Sequence, residues 1–145
     1  MPSWVSDGFK FYQQRLPKHF HPELIEIPAV TRSAAMPVAR AMQREGGKMM
    51  KQLQPDHYVV ALDERGRQWG SKQLAVEMGR WQSTYKQVTF LIGGADGLSP
   101  ECKARADQTW CLSQLTLPHA MVRVQVCEQI YRGWTILQGH PYHRE

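Results

Sequence analysis

The sequence predicts one α/β domain on a mostly parallel sheet, and three observations carry that prediction. Helical and β-rich stretches alternate along the chain, the pattern that crossover helices impose on parallel strands. Two of the β-rich stretches, HYVVAL at 57–62 and VTFLI at 88–92, are continuous apolar runs, as strands covered on both faces require. At 145 residues, 42% hydrophobic and 21% charged, the chain can bury a core of its own, and no repeat or low-complexity tract divides it. A single domain over 1–145 is the economical reading.

Residues 4–16 predict a short helix with Trp4, Phe9, Tyr12 and Leu16 as its apolar set, weakened by Gly8. Pro17 and Pro22 bracket a basic, histidine-containing turn, and LIEI at 24–27 predicts a brief strand closed by Pro28. After the polar residues Thr31, Arg32 and Ser33, residues 34–53 have helical composition. Pro37 suits the first turn, and Gly46-Gly47 predicts a kink or a division. The strand at 57–62 should lead into a polar loop at 63–66. A helix follows over 71–85, with Ser71 as its cap and Leu74, Met78, Trp81 and Tyr85 spaced by four, three and four. Past the strand at 88–92 and its glycines, Ser99-Pro100 reads as cap and first residue of another helix. WCLS at 110–113 is a candidate strand, and residues 115–118 form a tight loop. A long helix runs from His119 or Ala120 to Leu137, with Val122, Val126, Ile130, Trp134 and Leu137 on one face.

Bulk properties bound the function. The formal net charge of +5, with six histidines besides, favours an anionic partner such as nucleic acid. Three cysteines, Cys102, Cys111 and Cys127, without CxxC spacing predict free thiols in a reducing cytoplasm. No apolar run is long enough to span a membrane, and the acidic, interrupted start does not read as a signal peptide.

Three loops fall after β-rich runs, where ligands of open α/β sheets collect: Leu62-Asp63, the glycine run at 93–97, and the stretch 112–118. They predict one pocket. The glycines let backbone approach a ligand closely but match neither a dinucleotide fingerprint nor a P-loop. Backbone groups of LSQLTLP could read an adenine edge while its leucines cover the ring. The ending, His140-Pro141-Tyr142-His143-Arg144-Glu145, crowds five groups suited to proton transfer or phosphate contact behind Gly139, which should end the last helix. Cys111, His119, Cys127 and His140 lack metal-ligand spacing, and no G-x-S-x-G elbow supports a serine hydrolase. Glu128 and Arg132 stand at ion-pair spacing on the final helix.

The run LIGGADGL at 91–98, the loop LSQLTLPH at 112–119 and the ending HPYHRE at 140–145 closely resemble the bacterial 23S rRNA pseudouridine-N3 methyltransferases of the knotted SPOUT superfamily. MPSWVSDGF at the start, ELIEIP at 23–28, ALD at 61–63 and EQIYR at 128–132 extend the resemblance over essentially the whole chain. It implies a deep C-terminal trefoil knot, a rare exception to the rule against threaded chains. It further implies a homodimer and S-adenosyl-L-methionine held by Leu62, Gly94 and Ser113, Gln114, Leu115, Thr116, Leu117 and Pro118. The substrate would be 23S rRNA within the ribosome, with Tyr142, His143 and Arg144 as catalytic residues. The surplus of large side chains on the final helix suggests the dimer interface. Members of that family begin with about ten more residues, so the resemblance also implies a sheet short of its usual first strand, with an unpaired edge. A non-catalytic rRNA- or ribosome-binding protein of the same fold is the competing class, since basic charge and a shape-reading tail serve it equally well.

Overall fold

The computed structural model describes residues 2–143. In chain order the elements are α1 (Ser3–Gln13), α2 (Val38–Met50), β1 (Tyr58–Gln68), α3 (Ser71–Thr84), β2 (Val88–Leu91), α4 (Pro100–Arg105), β3 (Gln108–Cys111) and α5 (His119–Gln138), with short 3-10 turns at Lys18–Phe20 and Pro141–His143. They belong to two units. Among the described residues, 25–68 and 85–116 carry the sheet, and the other unit carries α1, α3 and α5.

In the sheet unit β1 lies between β2 and β3 and runs parallel to both, with Ala61 opposite Leu91 on one side and Thr109 on the other. The α/β class with parallel strands is therefore observed. Residues 58–61 are buried throughout, which is why they read as an unbroken apolar run. Val59, Ala61, Leu91, Leu98 and Cys102 form the core, with Met49, Met50, Leu53 and Ala106 packed against it. Each fully buried Val or Leu of such a set contributes about 1.5–3 kcal/mol over an exposed one.

Four local expectations change here. β1 does not stop at Leu62 but resumes pairing at Arg67 and Gln68, with Leu62 and Arg67 both opposite Trp110. Residues 63–66 bulge out between them, so the expected polar loop is an excursion within a strand. Gly66 makes the return possible, because a Cβ there would stand 2.7 Å from Thr109 C and Trp110 N. Second, residues 24–27 form no strand: their composition suits one, but no ladder partner pairs with them among the described residues. Third, β3 covers Gln108–Cys111 rather than 110–113, because the turn after Cys111 claims Ser113. Fourth, α2 passes through Gly46-Gly47 without division. Gly46 is buried against Ser99 and Cys102, and Cys102 Sγ donates to Gly46 O at 3.6 Å, so that glycine serves close packing on α4. Ser99 caps α4 as expected, its Oγ accepting from Cys102 N at 3.3 Å.

In the helical unit both α1 and α3 pack on α5. Val5 and Phe9 are buried, a Cβ on Gly8 would lie 3.1 Å from Val124, and Cys127 Sγ donates to Phe9 O at 3.5 Å. From α3, Leu74, Met78 and Trp81 are buried at the predicted spacing, with Met78 seated against Gly133. Gly70 O receives the first helical bond from Leu74 N, while Ser71 Oγ donates to Gln129 Oε1 at 2.8 Å, so Ser71 ties α3 to α5 instead of capping. Val126, Ile130 and Tyr131 are buried within this unit. Of the large residues of α5, Val126, Ile130 and Tyr131 are thus covered by the same chain, while Val122 and Trp134 are half-buried and Met121 and Leu137 exposed. Among the described residues no helix is long and apolar enough to cross a membrane.

Candidate active site

Parallel pairing brings the carboxyl ends of β1, β2 and β3 to one end of the sheet. Leu62, half-buried, is the last residue before the β1 excursion. Asp63 follows, held by Lys103 of α4 at 3.3 Å and accepting from Arg65 N at 3.3 Å. After β2, Gly97 N donates to Gly94 O at 3.1 Å, closing a turn over residues 94–97 with Gly97 at φ +83°. A Cβ on Gly93 would sit 2.5 Å from Gly97 C, so the chain folds back on itself there as only glycine permits. Gly94 is different: an added Cβ meets no atom within 4 Å. After β3, Cys111 Sγ donates to Ser113 O at 3.0 Å and Ser113 Oγ accepts from Leu115 N at 2.9 Å. That small turn leaves Leu115 74% exposed between exposed Gln114 and Thr116. An open apolar side chain beside backbone polar groups is what a flat heteroaromatic ligand would need.

One side chain grips the glycine turn from another part of the same unit. Arg32 reaches Asp96 Oδ2 through Nε at 3.1 Å and Nη2 at 3.0 Å, and Glu45 of α2 through Nη1 at 2.6 Å and Nη2 at 3.1 Å. Its Nη1 also donates to Val30 O at 2.7 Å, and Glu45 Oε2 accepts from Val30 N at 2.7 Å. The Arg32 hydrogen bond holds the Glu45 carboxyl below its ordinary range, against a smaller desolvation effect.

The tail is ordered as far as it is described. Gly139 adopts the left-handed conformation at φ +68°, with its N–H on Ile136 O and that of His140 on Thr135 O, a Schellman closure of α5. Pro141–His143 then makes a 3-10 turn that folds Tyr142 back onto α5. Tyr142 Oη donates to Glu128 Oε2 at 2.8 Å, the same carboxylate that Arg132 holds through Nε at 3.0 Å and Nη2 at 2.8 Å. Arg132 lies 4.9 Å above the Tyr142 ring, and Tyr131 meets that ring edge-on at 4.6 Å. A partly exposed pair such as Glu128–Arg132 contributes about 0.3–0.5 kcal/mol by itself, so its consequence is positional. Burial first, and the Glu128 carboxylate second, push the Tyr142 phenol well above its ordinary pKa. His140 Nδ1 accepts from Tyr142 N at 3.1 Å, so His140 orders the tail. His143 Nδ1 is buried with no hydrogen-bond partner among the described residues.

Of the residues expected to act, Leu62, Gly94 and Ser113 to Thr116 fall at the strand ends of the sheet unit. Leu117, Pro118, Tyr142 and His143 belong to the helical unit. Arg144 lies outside the described residues. Two participants were missed. Glu128 showed only its i,i+4 partner in the sequence, since the bond to Tyr142 depends on how the tail turns. Arg32 stood in a polar loop 64 residues from Asp96, with no local signal to join them.

The family described as predicted SPOUT methyltransferase matches residues 1–143. Proteins named ribosomal RNA large subunit methyltransferase H are similar throughout. That of Pseudomonas putida is 47% identical over 144 residues, covering 99% of this chain and 93% of the relative. Those of Marinomonas sp. and Pseudomonas paraeruginosa are 47% and 49% identical over the same shares. A match that runs through the strand-end turns, the closed last helix and the tail, over almost the full length of both proteins, places this chain in the SPOUT methyltransferase family.

Proposed function

We propose that this chain transfers a methyl group from S-adenosyl-L-methionine to N3 of a pseudouridine in 23S rRNA on the ribosome, acting in the cytoplasm as a homodimer. What carries the reading is the near full-length likeness to relatives named for large-subunit rRNA methylation. We take the deep C-terminal trefoil knot and a single functional domain with it, because the family match runs through both units. The homodimer interface we assign to the final helix, where Met121 and Leu137 are exposed and Val122 and Trp134 half-buried, together with the exposed Trp4 and Phe11 of α1.

The residues present suit the cofactor: backbone at Gly94 that a ligand can approach, and an exposed Leu115 between exposed Gln114 and Thr116. Leu62, Gly94 and the run from Ser113 to Pro118 are the residues we assign to holding it. When bound, it supplies the electrophilic methyl carbon on a sulfonium. The chain's own tasks are to align the base nitrogen, to take its proton and to steady the charge left on the imide oxygens. Tyr142 already gives its phenolic proton to Glu128 and so holds the tail in place. His143, with Nδ1 uncommitted among the described residues, is the candidate proton acceptor. Arg144 is assigned to electrostatic stabilisation or phosphate contact.

The test is methyl transfer to purified ribosomes that lack the modification, with isothermal titration of S-adenosylmethionine in parallel. N3-methylated pseudouridine and saturable cofactor binding are expected. Ribosome binding without either would leave the non-catalytic rRNA-binding reading in its place.

A further inference from the structure

We infer that Arg32 is the positioning residue of the cofactor turn, clamping Asp96 at its tip to Glu45 on α2 and so presetting the backbone at Gly94 for S-adenosylmethionine. The turn is anchored at its base, where β2 ends in buried Leu91 and the chain re-enters the core through buried Leu98 and Ser99. Its own hydrogen bond, Gly97 N to Gly94 O, closes the neck and leaves the tip, Ala95 and Asp96, exposed. Three glycines in five residues give that segment more backbone freedom than a binding surface can use. Among the described residues the side-chain restraint recorded on the tip is the Arg32 fork, at 3.0 and 3.1 Å from Asp96 Oδ2.

The fork is itself fixed. Glu45 takes both Nη atoms of Arg32 and also Val30 N, and Arg32 Nη1 returns to Val30 O. Ser33 and Met36 exchange backbone bonds at 3.0 and 3.1 Å just beyond, which ties the otherwise irregular segment 30–36 into a closed unit. Arg32 thus joins a stiff helix to a soft turn through planar, bidentate geometry that a lysine cannot copy. Without it, Glu45 would lose its cation and the turn would be free to sample conformations that a bound ligand must then exclude. That cost falls on cofactor affinity, because it is incurred on binding and not in the displacement step.

The inference rests on the proposal that this turn takes the cofactor, and the test separates the two. Isothermal titration with S-adenosylmethionine and with S-adenosylhomocysteine would compare the wild type, Arg32→Gln, Arg32→Lys, Asp96→Ala, the Arg32→Gln/Asp96→Ala pair and Gly94→Val. Expected is about a tenfold weaker Kd for both ligands in Arg32→Gln and in Asp96→Ala, no further loss in the pair, and incomplete recovery in Arg32→Lys. KM for the cofactor should rise by the same factor while kcat at saturation and KM for ribosomes stay within twofold, a split that general loss of folded protein would not give. Asp96→Ala keeps the Glu45 arm, so it decides the matter should Arg32→Gln fail to fold. Affinity within twofold of wild type in Asp96→Ala, with binding weakened about fivefold or more in Gly94→Val, would overturn the clamp and leave the cofactor reading standing. Unchanged binding in Gly94→Val as well would overturn both.

Discussion

Gly93 and Gly94 are adjacent, yet a side chain at each should have opposite consequences, and the difference tests whether the turn after β2 faces a ligand. At Gly94 an added Cβ meets no protein atom within 4 Å, and the backbone is not in the left-handed region. Gly94→Val should therefore fold normally and gain about 0.4–1 kcal/mol from a less flexible unfolded chain. If the cofactor lies against that backbone, the valine methyls occupy its space. Overpacking of that kind costs about 1–3 kcal/mol, or roughly a 5- to 150-fold weaker Kd. At Gly93 the Cβ would stand 2.5 Å from Gly97 C and 2.8 Å from Leu98 N, both backbone atoms that cannot rotate aside. Gly93→Ala should lose about 3 kcal/mol, which for a chain of this length is a fall in Tm of roughly 6–12 °C. Thermal melts and titration calorimetry read both variants. A Gly94→Val protein that melts like the wild type and binds S-adenosylmethionine with the same affinity would refute the assignment of this turn to the cofactor. A Gly94→Val protein that unfolds would refute the open geometry itself.

Deleting residues 140–145 should leave cofactor binding within a few-fold and reduce turnover by a factor on the order of 100 or more, the usual scale for a lost acid–base group; equal loss of both would show the tail has another job. His143→Ala should lower kcat by a similar factor across neutral pH, whereas Tyr142→Phe should lower it less and raise proteolytic cleavage of the tail; the reverse order would make Tyr142 the acceptor. Burial lifts the Cys127 thiol to about 12, so the sign is fixed: its contribution to stability is intact below the unfolded value of about 8.5 and is lost as pH rises from there. Chemical denaturation at rising pH should show that decline, and Cys127→Ala should flatten it. Light scattering at micromolar concentration should give twice 16.7 kDa, and Trp4→Ser or Phe11→Ser should shift the mass towards the monomer; an unchanged dimer would exclude α1 from the interface.

What the sequence makes legible is what local physics decides. Residues 58–61 and 88–91 are strands because their side chains are apolar, aromatic or β-branched and the two runs pair with each other in parallel. Leu74, Met78 and Trp81 announce a helix by spacing, Ser99-Pro100 announces a start, and Gly139 announces an end. What stays hidden depends on partners distant along the chain. The return of β1 at Arg67 exists only because Trp110 and Cys111 offer a ladder there, and residues 24–27, strand-like in composition, find none among the described residues. Part of the large-residue surplus on α5 has the same origin: α1 and α3 pack on that helix and Val126, Ile130 and Tyr131 are buried, whereas Met121 and Leu137 stay exposed. The loops proposed to hold the cofactor are legible as positions after strands, whereas the Arg32–Asp96 contact on one of them is not.

The tail shows how geometry divides work among residues that sequence alone leaves equivalent. Tyr142, His143 and Arg144 all qualify chemically, and nothing in their order ranks them. Once the 3-10 turn seats the Tyr142 ring between Arg132 and Tyr131, its oxygen is committed to Glu128. A phenol whose proton is held by a carboxylate, and whose ionised form is disfavoured by burial and by that same negative charge, is a poor base at neutral pH. It is a good anchor, because breaking the contact would take one donor from a half-buried carboxylate that otherwise holds Arg132 and Gln129 Nε2. An anchor at position 142 fixes the backbone of the next residue. His143 is thereby placed with a buried ring nitrogen that no described residue satisfies. Buried polar atoms are seldom left without a partner, and on that ground His143 is the residue proposed to take the imide proton. On the proposal that His143 takes the proton, the Tyr142–Glu128 bond is what holds it in place, and Tyr142→Phe should lower kcat through His143.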